Sequence, residues 1–279
     1  MIKILYISDF LLIDLIGGGE LNDHELCVGL KKRGFSVTQR RSHEVKIEEI
    51  KKTSFYIISN FMRLSREVIE FLKDKCDYII YEHDHKYLKT RNPALYKDYK
   101  ADKTQIVNLE FYKKAKKIFC QSSFHEAIMK LNTDLTNTHN VSGNLWSDDA
   151  LEVIKILNKK AKRNRYSVLN SKTPHKNTRD TVFYCEKKGF KYDLISSLEY
   201  QNFLSLLANN DKFIFLPKTP ETLSRIVVEA RMMNIKTITN KRVGAAHEPW
   251  FYLKGEQLID YMTNKKQEIT DKILEVINE

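Results

Sequence analysis

The feature that most constrains this chain is a rhythm. Short apolar runs alternate with longer segments whose apolar residues recur at helical spacing. Residues 3–8, 35–38, 55–59, 78–81 and 118–120 read as strands. Between them, residues 20–32 carry Leu21, Leu26, Cys27 and Leu30 at helical intervals and close at Gly34; residues 64–75 carry Val68, Ile69 and Leu72 on one face; residues 106–116 also read as a helix. Ser123-Phe124-His125-Glu126 reads as a capping box that opens a further helix. Strands that alternate with helices demand a parallel sheet with helices on both faces.

Residues 132–149 are rich in Asn, Thr, Ser and Asp, and the rhythm restarts beyond them. Strands are expected at 166–169, 193–195, 213–216 and 237–239, with helices at 178–188, 200–208, 225–233 and 269–277. This predicts two α/β domains, residues 1–143 and 144–279, with ligands held at the carboxyl ends of the parallel strands, in a cleft where the two units face each other.

With 42% apolar and 30% charged residues, the 279-residue chain reads as globular rather than disordered. The formal charge of +11 favours anionic partners: nucleotide phosphates, acidic glycans, anionic membrane surfaces or nucleic acid. The basic tract 155–165 motivates the last of these, although no recognition helix or aromatic stacking pattern accompanies it. Cys27, Cys76, Cys120 and Cys185 are scattered and sit in apolar contexts, as small core residues of a reducing compartment do. Asp9 and Asp14 interrupt the apolar start, which argues against a signal peptide, and no run approaches the ~20 apolar residues of a membrane helix. The expected location is cytoplasmic, at most peripheral to a membrane.

Four segments can carry chemistry. Gly17-Gly18-Gly19 joins the first strand to a helix, where backbone without Cβ can approach a phosphate; it is neither a dinucleotide fingerprint nor a P-loop. Glu82-His83-Asp84-His85 closes a strand. A histidine there can move protons or bind hydroxyls; two His flanking an Asp fall short of the convergent set a metal needs. Lys172 and Lys176 follow the first strand of the second unit and can neutralise a diphosphate. Glu221 and Glu229 lie on the loop and helix that follow a strand ending at Pro217. A carboxylate accepts from both hydroxyls of a vicinal diol, and Thr222, Leu223 and Ser224 offer backbone N–H groups to phosphate. The bland alternative for Glu229 is a solvated helix face.

The spacing of Glu221 and Glu229, with Val228-Glu229-Ala230, resembles the Glu-x7-Glu motif of the retaining GT-B glycosyltransferases of family 4. Gly17-Gly18-Gly19-Glu20, His83-Asp84, Lys172 with Lys176-Asn177, and Val243-Gly244-Ala245 to Glu248 are similar to that family's other motifs, in the same order. Thr222 and Ser224 stand where the family has glycines, and Lys172 where it has arginine. The resemblance implies two Rossmann-like domains and transfer of a sugar, with retained configuration, from a nucleotide diphosphate sugar such as a UDP- or GDP-sugar to a glycan or lipid-linked acceptor. It implies no cofactor and no metal. Glu221 would hold the donor sugar, Glu229 the ribose, Lys172 and Lys176 the diphosphate; His83 would contact the donor sugar or the acceptor, with Asp84 and His85 on the acceptor side. A non-catalytic nucleotide-sugar or glycan-binding protein, or a DNA-modifying sugar transferase, are the alternatives.

Overall fold

A computed structural model describes residues 2–279. The chain divides into two compact units, residues 1–145 with 265–279, and residues 146–264.

The first unit holds a parallel sheet of six strands in the order β2-β1-β3-β4-β5-β6. They are β1 (Lys3–Ser8), β2 (Ser36–Arg41), β3 (Phe55–Ile58), β4 (Tyr78–Tyr81), β5 (Lys117–Cys120) and β6 (Thr138–Asn140). Helices α1 (Gly18–Lys32), α2 (Ile47–Ile50), α3 (Arg66–Lys75), α4 (Leu109–Lys114) and α5 (Ser123–Thr133) connect them. β3 and β4 are buried along their whole length, which is why they read as unbroken apolar runs rather than alternating ones. Alternate residues of the strands feed two cores: Leu5, Ile7, Ile58 and Ile80 pack with α3 and α4 on one face, Ile4, Tyr6, Ile57 and Ile79 with α1 on the other.

The second unit holds four parallel strands in the order β10-β9-β7-β8. They are β7 (Arg163–Leu169), β8 (Tyr192–Ile195), β9 (Asn210–Phe215) and β10 (Lys236–Thr239), joined by α6 (Asp148–Asn158), α7 (Thr178–Lys187), α8 (Tyr200–Leu207) and α9 (Arg225–Met232). Phe213, Phe215, Val227, Val228 and Met232 form its main core with Trp146 and Ile154.

Several expectations need revision. β6 lies inside the polar stretch 132–149: its Thr, His and Asn carry no apolar signal, and its pairing with β5 defines it. The helix at 106–116 shrinks to α4, because Ile106 bridges to Leu88 instead. The capping serine is Ser122, extended at φ −151° and accepting from the His125 amide, so the box starting at Ser123 is one residue out of register. The end of the basic tract, from Arg163, is β7. Lys162 caps the carbonyls of Leu157 and Asn158, while Arg163 and Arg165 pair with Asp193.

The last helix, α10, runs Gly255–Asn278, not 269–277 alone. It starts among the second unit's residues, packing Leu258, Ile259 and Met262 there. Its later residues Ile269, Ile273, Val276 and Ile277 complete the first unit's α1-side core. Residues 265–279 therefore group with the first unit, whereas the sequence alone places 144–279 in one domain. No helix among the described residues is long and apolar enough to cross a membrane.

Candidate functional site

Topology singles out one edge of the second unit. The strand order reverses between the neighbours β7 and β9, since β8 lies beyond one and β10 beyond the other. The connections leaving two such strands diverge and open a crevice at their carboxyl ends. Here those connections are residues 170–177 and 216–224. They are tied together: Asn177 Nδ2 donates to the Leu216 carbonyl at 2.8 Å and the Lys218 amide to the His175 carbonyl at 2.8 Å. The Glu221 amide donates to the Arg242 carbonyl at 2.7 Å, the Gly244 amide to the Glu221 carbonyl at 3.0 Å, and the Ala245 amide to the Leu223 carbonyl at 2.9 Å. Residues 221–223 thus run as a one-pair strand beside Val243-Gly244-Ala245.

On this fixed backbone Lys176 Nζ donates to both carboxylate oxygens of Glu221, at 2.9 Å each, and lies over the Phe215 ring. The two side chains are 31% and 12% exposed, so a solute can reach them. Lys172 is exposed and forms no ion pair among the described residues; the structure brings Lys176, not Lys172, to Glu221.

Leu223 is fully buried and Thr222 partly so. Ser224 precedes α9 at φ +73°, ψ +77°, a left-handed conformation that favours glycine, and its buried Oγ has no hydrogen-bond partner among the described residues. Next comes a buried box. Glu229, only 2% exposed, accepts at Oε1 from Trp146 Nε1 at 3.0 Å, from the Tyr200 hydroxyl at 2.6 Å and from Arg225 Nε at 3.0 Å. The Arg225 guanidinium stacks 4.4 Å from the Trp146 ring centre. Burial, then the charge of Glu229, pushes the Tyr200 phenol far above its usual value, so it stays a donor. Glu229 is therefore not on a solvated face, and its charge is neutralised internally by Arg225.

In the first unit the order reverses between β1 and β3. Gly17 is the extended residue ahead of α1, and Gly18 and Gly19 form its first turn. A Cβ at Gly17 would fall onto the Glu20 carboxylate, which folds back over the loop onto its own backbone N–H. Burial raises the Glu20 carboxyl above its ordinary value. Gly19 lies against the His83 ring, 3.7 Å from where a Cβ would sit.

His83 is held at both ring nitrogens, Nε2 by Asp23 Oδ1 and Nδ1 by Gln121 Nε2. Asp23, on α1, is 3% exposed and also accepts from the Tyr6 hydroxyl at 2.7 Å and the Ser59 hydroxyl at 2.6 Å. Asp84 accepts from the His85 amide at 2.7 Å and from Arg91 Nε at 2.6 Å. Burial alone would raise its carboxyl, but the charges of Lys86 and Arg91 hold it below the usual range. His85 turns inward: it is 1% exposed, packs edge-on against His125, and meets the Tyr87 hydroxyl through Nδ1 at 2.9 Å. The chain has left β4 after Tyr81, so strand alternation does not set His83 and His85 on one face. Glu82 is buried with Lys86 and Tyr112.

The sequence reading passed over Asp23, Gln121, Trp146, Tyr200 and Arg225. A signal existed for Asp23, since Asp23, Leu26, Cys27 and Leu30 follow the i, i+3, i+4, i+7 pattern of a buried helix face. Arg225 and Glu229 are likewise four apart on one helix. Trp146, Tyr200 and Gln121 reach their partners from distant elements and had no local signal. Among the described residues, no three His, Cys, Asp or Glu side chains converge as metal ligands would.

No protein-family model matches the chain, and no curated protein matches it. Solved structures do. The catalytic domain of starch synthase IV from Arabidopsis thaliana, bound to ADP and acarbose, superposes with a TM-score of 0.60 at 10% identity, covering 99% of this chain and 94% of that one. Sucrose-phosphate synthase from Thermosynechococcus elongatus gives 0.60 at 10% identity over 96% and 90%. The HepE protein of Anabaena, in complex with UDP and glucose, gives 0.56 at 13% identity over 98% and 91%. The fold of this chain is that of the GT-B glycosyltransferases.

Proposed function

We propose that the chain transfers a sugar from a nucleotide diphosphate sugar to an acceptor, with retention of configuration and without a metal, as the Glu-x7-Glu resemblance implies. The observation that carries this reading is the Lys176–Glu221 pair at the reversal point of the second sheet, held at 2.9 Å on a backbone pinned from both sides. Glu221 offers carboxylate oxygens to the hydroxyls of a donor sugar. Lys176 keeps an N–H beyond the two spent on Glu221 for an oxygen of the leaving diphosphate, where negative charge develops. Lys172, on the same loop, adds mobile positive charge. In a front-face displacement the acceptor oxygen bonds to the anomeric carbon as the carbon–phosphate-oxygen bond breaks, and the departing diphosphate takes the acceptor's proton. No protein nucleophile is assigned.

Glu229 takes a narrower part than the motif suggests. Its Oε1 is filled by Trp146, Tyr200 and Arg225, so a ribose diol has only Oε2 to engage. The solved structures of this fold include complexes with UDP and with ADP, which supports a nucleotide donor. One, an alpha-glucosyltransferase with UDP and DNA, keeps a nucleic-acid acceptor among the candidates. Against that, Lys162, Arg163 and Arg165 of the basic tract are engaged within the fold.

The test is a thermal-shift screen of UDP-, GDP- and ADP-sugars, since a ligand that binds only the folded form raises its stability. Turnover with the best donor follows. Glu221→Ala and Lys176→Ala should each lower turnover about 10²–10³-fold, the scale seen when one preorganised charge-stabilising group is lost. Near wild-type turnover in both variants would sink the assignment. Binding without release of nucleotide would favour the non-catalytic alternative.

A further inference from the structure

Three side chains of the first unit, on or just after three different strands, meet one buried carboxylate, and a fourth joins through one of them. Tyr6 comes from β1, Asp23 from α1, Ser59 follows β3, His83 follows β4, and Gln121 follows β5 and joins through His83. The direction of each hydrogen bond can be deduced. Gln121 Nε2 lies 3.3 Å from the Glu82 carbonyl oxygen, which only accepts, so the nitrogen end of the amide must face that way. The same nitrogen meets His83 Nδ1, which must then accept. The ring proton is left on Nε2, and Nε2 points at Asp23, a carboxylate that also takes the Tyr6 and Ser59 hydroxyl protons. Burial, then the charge of Asp23, pushes the Tyr6 phenol well up, so it remains a donor.

We propose that Asp23 is a positioning residue for His83, which it fixes as the Nε2–H tautomer so that the ring presents its Nδ1 lone pair, an acceptor, to a hydroxyl of bound substrate. Gln121 holds that lone pair in the free protein and yields it when a hydroxyl arrives. A base oriented by a carboxylate behind its other nitrogen is a general device for delivering one defined lone pair. The ring packs beside Gly19 at the start of α1. The functional half rests on the sugar-transfer reading; the tautomer half does not.

The experiment is long-range ¹H–¹⁵N spectroscopy of the full chain with labelled histidine, His83 being assigned by its loss in His83→Gln. Wild type should show a single Nε2–H tautomer for His83. Asp23→Asn should release it into a mixture, and Ser59→Ala, which removes a different donor to Asp23, should leave it single. If Asp23→Asn leaves the tautomer unchanged, or wild type already shows a mixture, the proposal is overturned. Saturating UDP-glucose with glucose, or GDP-mannose with mannose, should shift the His83 Nδ1 resonance; an unmoved resonance under conditions where turnover occurs overturns the functional half. In turnover, Asp23→Asn should lower kcat at least tenfold with KM within threefold, and Asp23→Glu should recover part of it. A loss confined to KM overturns the functional half. A wild-type chain that transfers no sugar sinks the transfer reading, whereas a locked ring released in Asp23→Asn still upholds the positioning.

Discussion

Ser224 occupies a backbone conformation made for glycine, and replacing it tests whether the loop before α9 is as constrained as its hydrogen bonds imply. At φ +73° and ψ +77° an L side chain is unfavourable by about 1–2 kcal/mol. The Ser224 hydroxyl is buried without a partner among the described residues, worth about 1–3 kcal/mol of lost hydration. Glycine removes both terms but adds about 0.5–1 kcal/mol of unfolded-chain entropy. Ser224→Gly should therefore stabilise by about 2 kcal/mol. Ser224→Ala removes the hydroxyl but keeps the strain, and should fall short of Ser224→Gly by the strain less the entropy term, about 0.5–1 kcal/mol. Both tryptophans, Trp146 and Trp250, lie in the second unit, so their fluorescence in urea reports its unfolding specifically. With a slope of about 1–3 kcal/mol per molar urea, the midpoint should rise by about 1 M in Ser224→Gly. Thr222 has no left-handed φ, so Thr222→Gly should lose about 0.5–1 kcal/mol instead. A Ser224→Gly variant no more stable than Ser224→Ala refutes the strain argument, and one less stable than wild type refutes the whole account.

Three further outcomes follow from the same geometry. Trp146→Phe keeps the ring packing but deletes a donor to the buried Glu229; it should cost about 1–3 kcal/mol, read by circular dichroism because a fluorophore is lost. Glu20 titrates higher in the folded than in the unfolded chain because of burial, so its contribution is full below about pH 4 and lost as pH rises through the raised folded value. Glu20→Gln should remove that loss, gaining on wild type between pH 4 and 7 in urea unfolding; parallel pH profiles would contradict it. Asp14, hydrogen-bonded by Arg41 and by the Leu11 amide, has its carboxyl lowered to about 2. In Arg41→Ala, NMR titration should find it raised toward the ordinary carboxylate value of about 3.9, the Leu11 amide bond being kept.

Much of the fold was legible because burial on both faces makes a strand an unbroken apolar word. Lys3–Ser8 and Tyr78–Tyr81 stand where the run of residues placed them. What failed was structure whose reason lies elsewhere in the chain. β6 has no apolar residue and exists because β5 needs a partner on that side. The early half of α10 sets its apolar residues among Gln257, Asp260, Thr263 and Asn264. The same division runs through the candidate site. Glu221 and Lys176 announced themselves by position after strands, and the structure pairs them. Glu229 was legible as a motif residue, but its partners Trp146 and Tyr200 sit 83 and 29 positions away, beyond any local pattern. His83 was visible, whereas the carboxylate behind it was marked only by its place on the Leu26, Cys27 and Leu30 helix face, where an acidic residue reads as surface until the helix is oriented.

The discontinuity of the first unit sets the order in which the protein can finish folding as it is made. Residues 146–264 are contiguous and can close their core once they have left the ribosome. The first unit, although begun earlier, lacks Ile269, Ile273, Val276 and Ile277 until the last turns of α10 emerge, and until then Ile4, Tyr6, Leu26 and Leu30 have one side of their packing missing. The usual amino-terminal-first sequence of domain folding is inverted. Synthesis that stalls before Ile269 would leave that apolar face of the nascent unit open to chaperones.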